Sequence, residues 1–235
     1  MKRLENIDMS KILFKVTSRS RREKLIETLH NIQEFATNPN YLICLTLDED
    51  DKTCNNPEMR SYLDSHFGFE LHTFFGRSKS KIHAINRDLE DFTNWDILVN
   101  VSDDQRFTKK GFDNEIRFAF SLFFPDFDGF VHMRDSNHNP IDALCTMSII
   151  GKKYYERDGY IYHPSYQSVY CDNEAQEVAK RRGKYIFIDT ILFDHRHPAY
   201  GKAQNDPLYL KNESKAVHLK DHRNFQRRQK TGFQP

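Results

Sequence analysis

Apolar residues along this chain fall into two rhythms. Short runs rich in β-branched and aromatic residues recur at Lys11–Val16, Tyr41–Leu47, Phe69–Phe74, 96–101, Phe127–Met133 and Tyr185–Phe193, and each predicts a strand. Between them the apolar positions repeat every three or four residues, as on one face of a helix. Leu25, Ile26, Leu29, Ile32 and Phe35 form such a stripe behind Ser20 and Glu23, which have capping-box spacing. Asn38-Pro39-Asn40 then reads as a turn. Further stripes are Ile82, Ile85 and Leu89, and Phe112, Ile116, Phe120 and Phe123 within Lys109–Phe124. A last helix is expected over Asp172–Arg182, closed by Gly183. Strand and helix alternate, which predicts an α/β fold with a mostly parallel sheet flanked by helices.

The rest of the chain is less periodic. Residues 1–10 form a polar lead-in, 52–66 a surface excursion with a short helix, and Asp135–Pro140 a turn-rich loop. Leu144–Ile150 is apolar, and Gly151-Lys152-Lys153 leads into another short helix. Tyr160–Cys171 is rich in Tyr and His; a packed loop is the commoner reading, a ligand cover the sharper one. From about Gly201 the pattern is weak and suits extended or helical surface chain.

What the strands run into changes the picture. The first discharges into Thr17-Ser18-Arg19-Ser20-Arg21-Arg22, the second into Asp48-Glu49-Asp50-Asp51, and the run beginning at Trp95 into Ser102-Asp103-Asp104-Gln105-Arg106. In open α/β sheets ligands gather outside the carboxyl ends of the strands. A carboxylate there is costly to bury unless a positive partner waits for it, and a divalent cation carrying a phosphorylated ligand is the simplest one. An isolated Asp-Asp after a strand is more often a capped turn; three polar endings on one sheet edge make a site. Neither GxxxxGK[ST] nor GxGxxG occurs, so this is no P-loop or dinucleotide fingerprint.

Composition adds limits. At 235 residues the chain can bury a sizeable core, to which 19 Phe and 11 Tyr contribute most of the bulk. Lys+Arg is 35 and Asp+Glu 34, so net charge indicates no polyanionic partner. From Lys211 onward, however, seven Lys/Arg face only Glu213 and Asp221, a basic tail. Cys44, Cys54, Cys145 and Cys171 lack CxxC spacing, which suggests neither a zinc site nor a disulfide frame. With no signal peptide or membrane-length apolar run, a cytoplasmic setting is the default expectation.

In order and spacing, these motifs over about 11–198 resemble the GT-A fold nucleotide-sugar glycosyltransferases, especially the family 2 group. Thr17-Ser18-Arg19-Ser20-Arg21 stands where that family has its nucleobase-contacting turn, and Asp48 and Asp50 match its acidic pair near base and ribose. Lys79-Ser80-Lys81 and Ala84-Ile85-Asn86 match the loop and Ala-Arg-Asn helix, with Ile85 in the arginine's place. Ser102-Asp103-Asp104 matches the Asp-x-Asp metal motif. Cys171-Asp172 stands at the Glu-Asp that supplies the catalytic base, although Val178 replaces an arginine expected six residues on. His195 or His197 matches the histidine after the last core strand.

The resemblance implies a GT-A (Rossmann-like) domain over 1–200, with 11–104 as the nucleotide-sugar half, 105–200 as the acceptor half, and 201–235 as a basic C-terminal extension. It implies a metal-dependent transferase that moves a sugar from a nucleoside-diphosphate donor, UDP-linked by preference, to a hydroxyl with inversion. Asp172 would be the base, although by position alone it reads as a helix N-cap. Donor binding would fall to Thr17, Ser18, Arg19, Arg21, Asp48, Asp50, Lys79, Lys81, Asn86, Ser102 and Asp103. Asp104 with His197 or His195 would hold Mn2+ or Mg2+, an imidazole tilting the choice to manganese. The acceptor stays open among saccharide, lipid-linked glycan and modified nucleic acid, as does peripheral membrane or nucleic-acid contact through the basic tail. The alternatives are a nucleotidyltransferase of related fold, or an inactive nucleotide-sugar-binding module. The former usually carries a Gly-rich loop after its first strand, and Thr17–Arg22 has no glycine.

Overall fold

The computed structural model describes residues 9–137 and 144–234. Four strands, β1 (Ile12–Ser18), β2 (Tyr41–Asp48), β3 (Leu71–Gly76) and β4 (Ile97–Ser102), lie parallel in the order β3-β2-β1-β4. Three more extend the sheet beyond β4: β7 (Ile149–Gly151), β6 (Phe130–Asp135) and β8 (Tyr185–His195). β7 is antiparallel to both β4 and β6, whereas β6 and β8 are parallel. The short β5 (Gln105–Phe107) completes the eight-stranded sheet, antiparallel to the end of β8. The sheet is therefore mixed, with a parallel half that matches the pattern-based expectation.

Period-two alternation places helices on both faces. Ile12, Phe14 and Val16 of β1 join Leu25, Leu29 and Ile32 of α1 (Arg22–Phe35) and Ile116 and Phe120 of α4 (Phe112–Phe123). Leu13 and Leu98 point the other way, towards Ile82 and Ile85 of α3 (Lys81–Asn86) and Ala179 of α6 (Cys171–Arg181). Each of the Val, Leu, Ile and Phe side chains so removed from water contributes about 1.5–3 kcal/mol. Phe107 and Phe112 stack with ring centroids 3.4 Å apart, and Phe14 meets both. Lys15 shares the second face and is fully buried; its ammonium donates to the Arg87 carbonyl (2.7 Å), to Thr46 and to Cys44 Sγ. All four cysteines are free and buried.

Several local expectations are corrected. Ser20 is not a helix cap: it sits at φ 57°, and its N–H donates to Asp51 Oδ2 at 2.7 Å. The helix begins at Arg22 behind Arg21, whose side chain is drawn elsewhere. Phe69 lies outside β3 and is 83% exposed, and Phe123 leaves the buried stripe of α4. Helix α2 (Pro57–His66) is not mere surface, because Met59 and Leu63 enter the core. The tail is not all surface either. It forms α7 (Pro207–Asn212) and α8 (Lys215–Lys230), and α8 turns Asp221 and Arg228 inward while Lys220, Arg223, Arg227 and Lys230 stay exposed. The polar lead-in over 1–8 and the last residues of the 135–140 loop lie outside the described residues. Among the described residues no helix is long and apolar enough to cross a membrane.

Candidate active site

Parallel register aligns the strand ends. Thr17 of β1 lies beside Ser102 of β4, Ser18 beside Leu47 of β2, and Asp48 beside Gly76 of β3. The chain then reverses at Asp103-Asp104 into β5, which pairs Gln105 with His195. That pairing, with the Arg196 N–H donating to the Asp104 carbonyl at 2.8 Å, brings the histidine end of β8 to the acidic turn. The turn is fixed from below. Gln105 accepts from the Ser102 N–H (3.0 Å), and the buried Arg106 donates to the Asp103 carbonyl (3.0 Å) and the Lys24 carbonyl (2.9 Å).

Above the turn opens a cleft of about 940 Å³. Thr17, Ser18, Arg19, Arg21, Asp48, Asp50, Lys79, Lys81, Ser102, Asp103, Asp104, Asp172, His195 and His197 all line it. Asn86 does not. Its amide donates to the Tyr162 carbonyl (2.6 Å) and accepts from the N–H groups of Ile161 and Tyr162 (3.0 and 3.1 Å), pinning the Tyr-rich loop. That loop is packed and also lines the cleft: Tyr162, Tyr166 and Ser168 are all buried, and Tyr162, Gln167 and Ser168 contribute to the wall.

At one end Arg19 bridges Asp48 and Asp50, both at 2.6 Å. These bonds raise the guanidinium's pKa and lower that of Asp50. Asp48 Oδ1 remains buried without a hydrogen-bond partner among the described residues, on a residue that lines the cleft. Of the other acids after β2, Glu49 pairs with Arg77, while Asp51 folds back to bind backbone N–H groups of Ser20 and Thr53.

The two carboxylates after β4 differ. Both oxygens of Asp103 are engaged, Oδ2 by the Ser18 hydroxyl (2.6 Å) and Oδ1 by Arg21 (3.0 Å). Burial and the neighbouring Asp104 charge raise its pKa despite Arg21. Asp104 Oδ2 accepts from the Tyr209 hydroxyl at 2.6 Å. Its Oδ1 has no hydrogen bond, and His195 Nε2 lies 3.4 Å away. Burial works against ionisation of Asp104, yet His195, Tyr209 and Lys81 together hold its pKa below the usual carboxylate range.

The two histidines also differ. His197 is engaged at both nitrogens, by Glu213 (2.8 Å) and by the Ala199 N–H (3.2 Å). His195 Nδ1 is buried and has no partner among the described residues. Asp172 is not an N-cap: Tyr170 takes that place at φ 64°, and the Asp172 carboxylate sits in the first turn of α6, accepting from the Asn173 N–H (3.0 Å). Burial raises its pKa, and Lys81 only partly offsets this.

No family model and no curated protein matches the sequence. Solved structures do match. The mannosyltransferase PcManGT from Pyrobaculum calidifontis, in complex with GDP-Man and Mn2+, superposes with a TM-score of 0.63 at 14% identity, over 89% of this chain and 69% of that one. GalNAc-T7 with UDP, GalNAc and Mn2+ gives 0.62 at 10% identity, over 77% of this chain and 42% of that one. The 4-diphosphocytidyl-2C-methyl-D-erythritol synthase from Anaerococcus prevotii DSM 20548 gives 0.54 at 13% identity, over 78% of this chain and 88% of that one. The fold is GT-A. This chain thus spans less than half of GalNAc-T7, and the likeness at these identities is one of architecture.

Within this GT-A sheet, no three metal-ligating side chains among the described residues gather closely enough to hold an ion by themselves. A cation shared with a phosphorylated ligand needs fewer. Asp104 Oδ1, buried and without a hydrogen bond, and the neighbouring His195 supply one hard and one borderline donor, which fit such a shared ion. Four residues of the site were not foreseen as functional: Gln105, Arg106, Asp206 and Tyr209. Gln105 and Arg106 follow the acidic pair directly, and Asp206-Pro207 is a legible helix start, the Asp206 side chain capping Leu208 and Tyr209. Nothing local announces that Tyr209 reaches Asp104, 105 residues away in sequence.

Proposed function

We propose that this cleft binds a nucleoside-diphosphate sugar together with a divalent cation and transfers the sugar to an acceptor hydroxyl. The observation that carries the reading is the pairing of an unsatisfied, ionised Asp104 Oδ1 with His195, in the same cleft as the half-buried carboxylate Asp172. Arg19, Asp48 and Asp50 suit the nucleoside, Asp48 Oδ1 accepting from a base N–H or ribose hydroxyl. Lys79 and Lys81 face the charge that develops on the departing diphosphate. Asp104 and His195 would hold Mn2+ or Mg2+, which when bound supplies Lewis-acid stabilisation of that diphosphate. Asp103, with Ser18, Arg21 and Ser102, frames the turn.

Asp172 accepts the proton of the acceptor hydroxyl as its oxygen bonds to the anomeric carbon and the bond to the diphosphate breaks, inverting that centre. A carboxyl whose pKa burial has raised is a stronger base than an ordinary one. The test is a screen of UDP- and GDP-linked sugars with Mn2+, scored for binding, slow hydrolysis and transfer. One donor is expected to stand out, Asp104→Ala to abolish metal-dependent binding, and Asp172→Asn to bind the donor but transfer at least 100-fold more slowly. Transfer at the normal rate by Asp172→Asn removes it as the base. The match to the diphosphocytidyl synthase keeps a nucleotidyltransferase as the second reading; release of pyrophosphate from CTP or UTP in the same screen would favour it.

A further inference from the structure

The C-terminal segment enters the acidic turn from above. Arg21 binds Asp206 through two nitrogens, each at 2.9 Å, and its guanidinium lies 3.7 Å from the centre of the Tyr209 ring. His197 packs edge-on against the same ring at 4.8 Å. So gripped, Tyr209 is nearly buried and can direct its hydroxyl in few ways; it donates to Asp104 Oδ2 at 2.6 Å. Of the four carboxylate oxygens on Asp103 and Asp104, three are thereby occupied, and the fourth, Asp104 Oδ1, stands beside His195.

Building on the metal-dependent reading above, we propose that Tyr209 is a positioning residue of the cation site, its phenol fixing the rotamer of Asp104 so that Oδ1 faces the ligand. A carboxylate free to rotate would present either oxygen, or turn towards Lys81 or Arg21. Hydrogen bonds that orient a metal ligand typically change metal affinity by roughly 10–100-fold when removed.

The test uses the full chain and Tyr209→Phe, which keeps the ring against Arg21 and His197 and removes only the hydroxyl. Mn2+ is titrated with UDP or GDP present and followed by the loss of the free-ion electron paramagnetic resonance signal. Nucleotide binding without metal and the unfolding midpoint are measured alongside. The expected result is Mn2+ binding weakened about tenfold or more, with metal-free nucleotide affinity unchanged and the midpoint lowered, because the buried Asp104 carboxylate loses one hydrogen bond. Equal Mn2+ affinity in the two proteins overturns the inference and leaves the metal reading standing. Tighter binding by the variant also overturns it, by showing the phenol to be an obstruction. No Mn2+ binding by the unaltered chain with either nucleotide overturns the metal reading itself. Should Tyr209→Phe not fold, fluorotyrosine at 209 provides a resonance that Mn2+ should broaden, and a resonance that stays sharp overturns the inference.

Discussion

Asp221 is fully buried on α8, and its carboxylate accepts from three backbone N–H groups: Gln167 at 3.1 Å, Ser168 at 2.8 Å and Val169 at 3.0 Å. Those residues form one wall of the cleft. Asp221→Ala strands three donors around a fully buried side-chain position. At the lower end of about 1 kcal/mol for each orphaned donor, the loss is about 3 kcal/mol. For a protein of this size that lowers the melting temperature by roughly 6–12 °C. Asp221→Asn, which can still accept through one oxygen, should fall between. Urea unfolding gives the energies, and amide hydrogen exchange at 167–169 shows whether the loss is local, since those three amides should lose protection before the strands do. A loss below about 1 kcal/mol for Asp221→Ala, with protection at 167–169 unchanged, would refute the claim that α8 holds the cleft wall through this carboxylate.

Other outcomes follow from the same structure. Asn86→Ala removes three hydrogen bonds to the Tyr-rich loop and should cost about 2 kcal/mol in urea unfolding without weakening metal-free UDP or GDP binding; weakened binding at unchanged stability would restore Asn86 as a donor contact. Arg228→Met leaves the buried Glu174 without its bidentate partner and should destabilise by about 3 kcal/mol, measured the same way. Asp206, held by Arg21 and Lys24 against the opposing effect of burial, has its pKa lowered to about 2, below the 3.8 of an ordinary carboxylate. Its stabilising effect is therefore complete above pH 3.8 and lost as pH falls through 2, an upper limit of about 2 kcal/mol. The difference in unfolding energy between the natural chain and Asp206→Asn should shrink across that acid window, and a constant difference would contradict the ion-pair account.

The parallel half of the sheet was legible because its strands are short, apolar and separated by clean helical stripes, as with Val16 and Leu25. In the other half β6 and β8 were legible as the runs Phe127–Met133 and Tyr185–Phe193, but β5 and β7 were not, since they have three residues each and no period can be read from so few. Register did most for the site: strand endings that look like unrelated turns in sequence share one edge once Ser18, Asp48 and Ser102 align. Periodicity could not separate His195 from His197, because the difference lies in Glu213 and Ala199, which occupy one and leave the other. Ser20 misled because its spacing to Glu23 suits a cap, while Asp51 from another loop competes for its backbone. Tyr209 and Asp221 were missed for a common reason: their partners are remote in the chain, and a weakly periodic, basic segment gives no sign that two of its residues turn inward.

Asp206, Tyr209, Asp221 and Arg228 all fall after residue 205, whereas the sheet is complete by His195. A polypeptide emerging N-terminus first can therefore assemble its strands while the acidic turn still lacks its phenol and the neighbouring loop its carboxylate clasp. Completion of the cleft thus waits on the segment after residue 205, and a chain interrupted before it would have the architecture without the finished pocket.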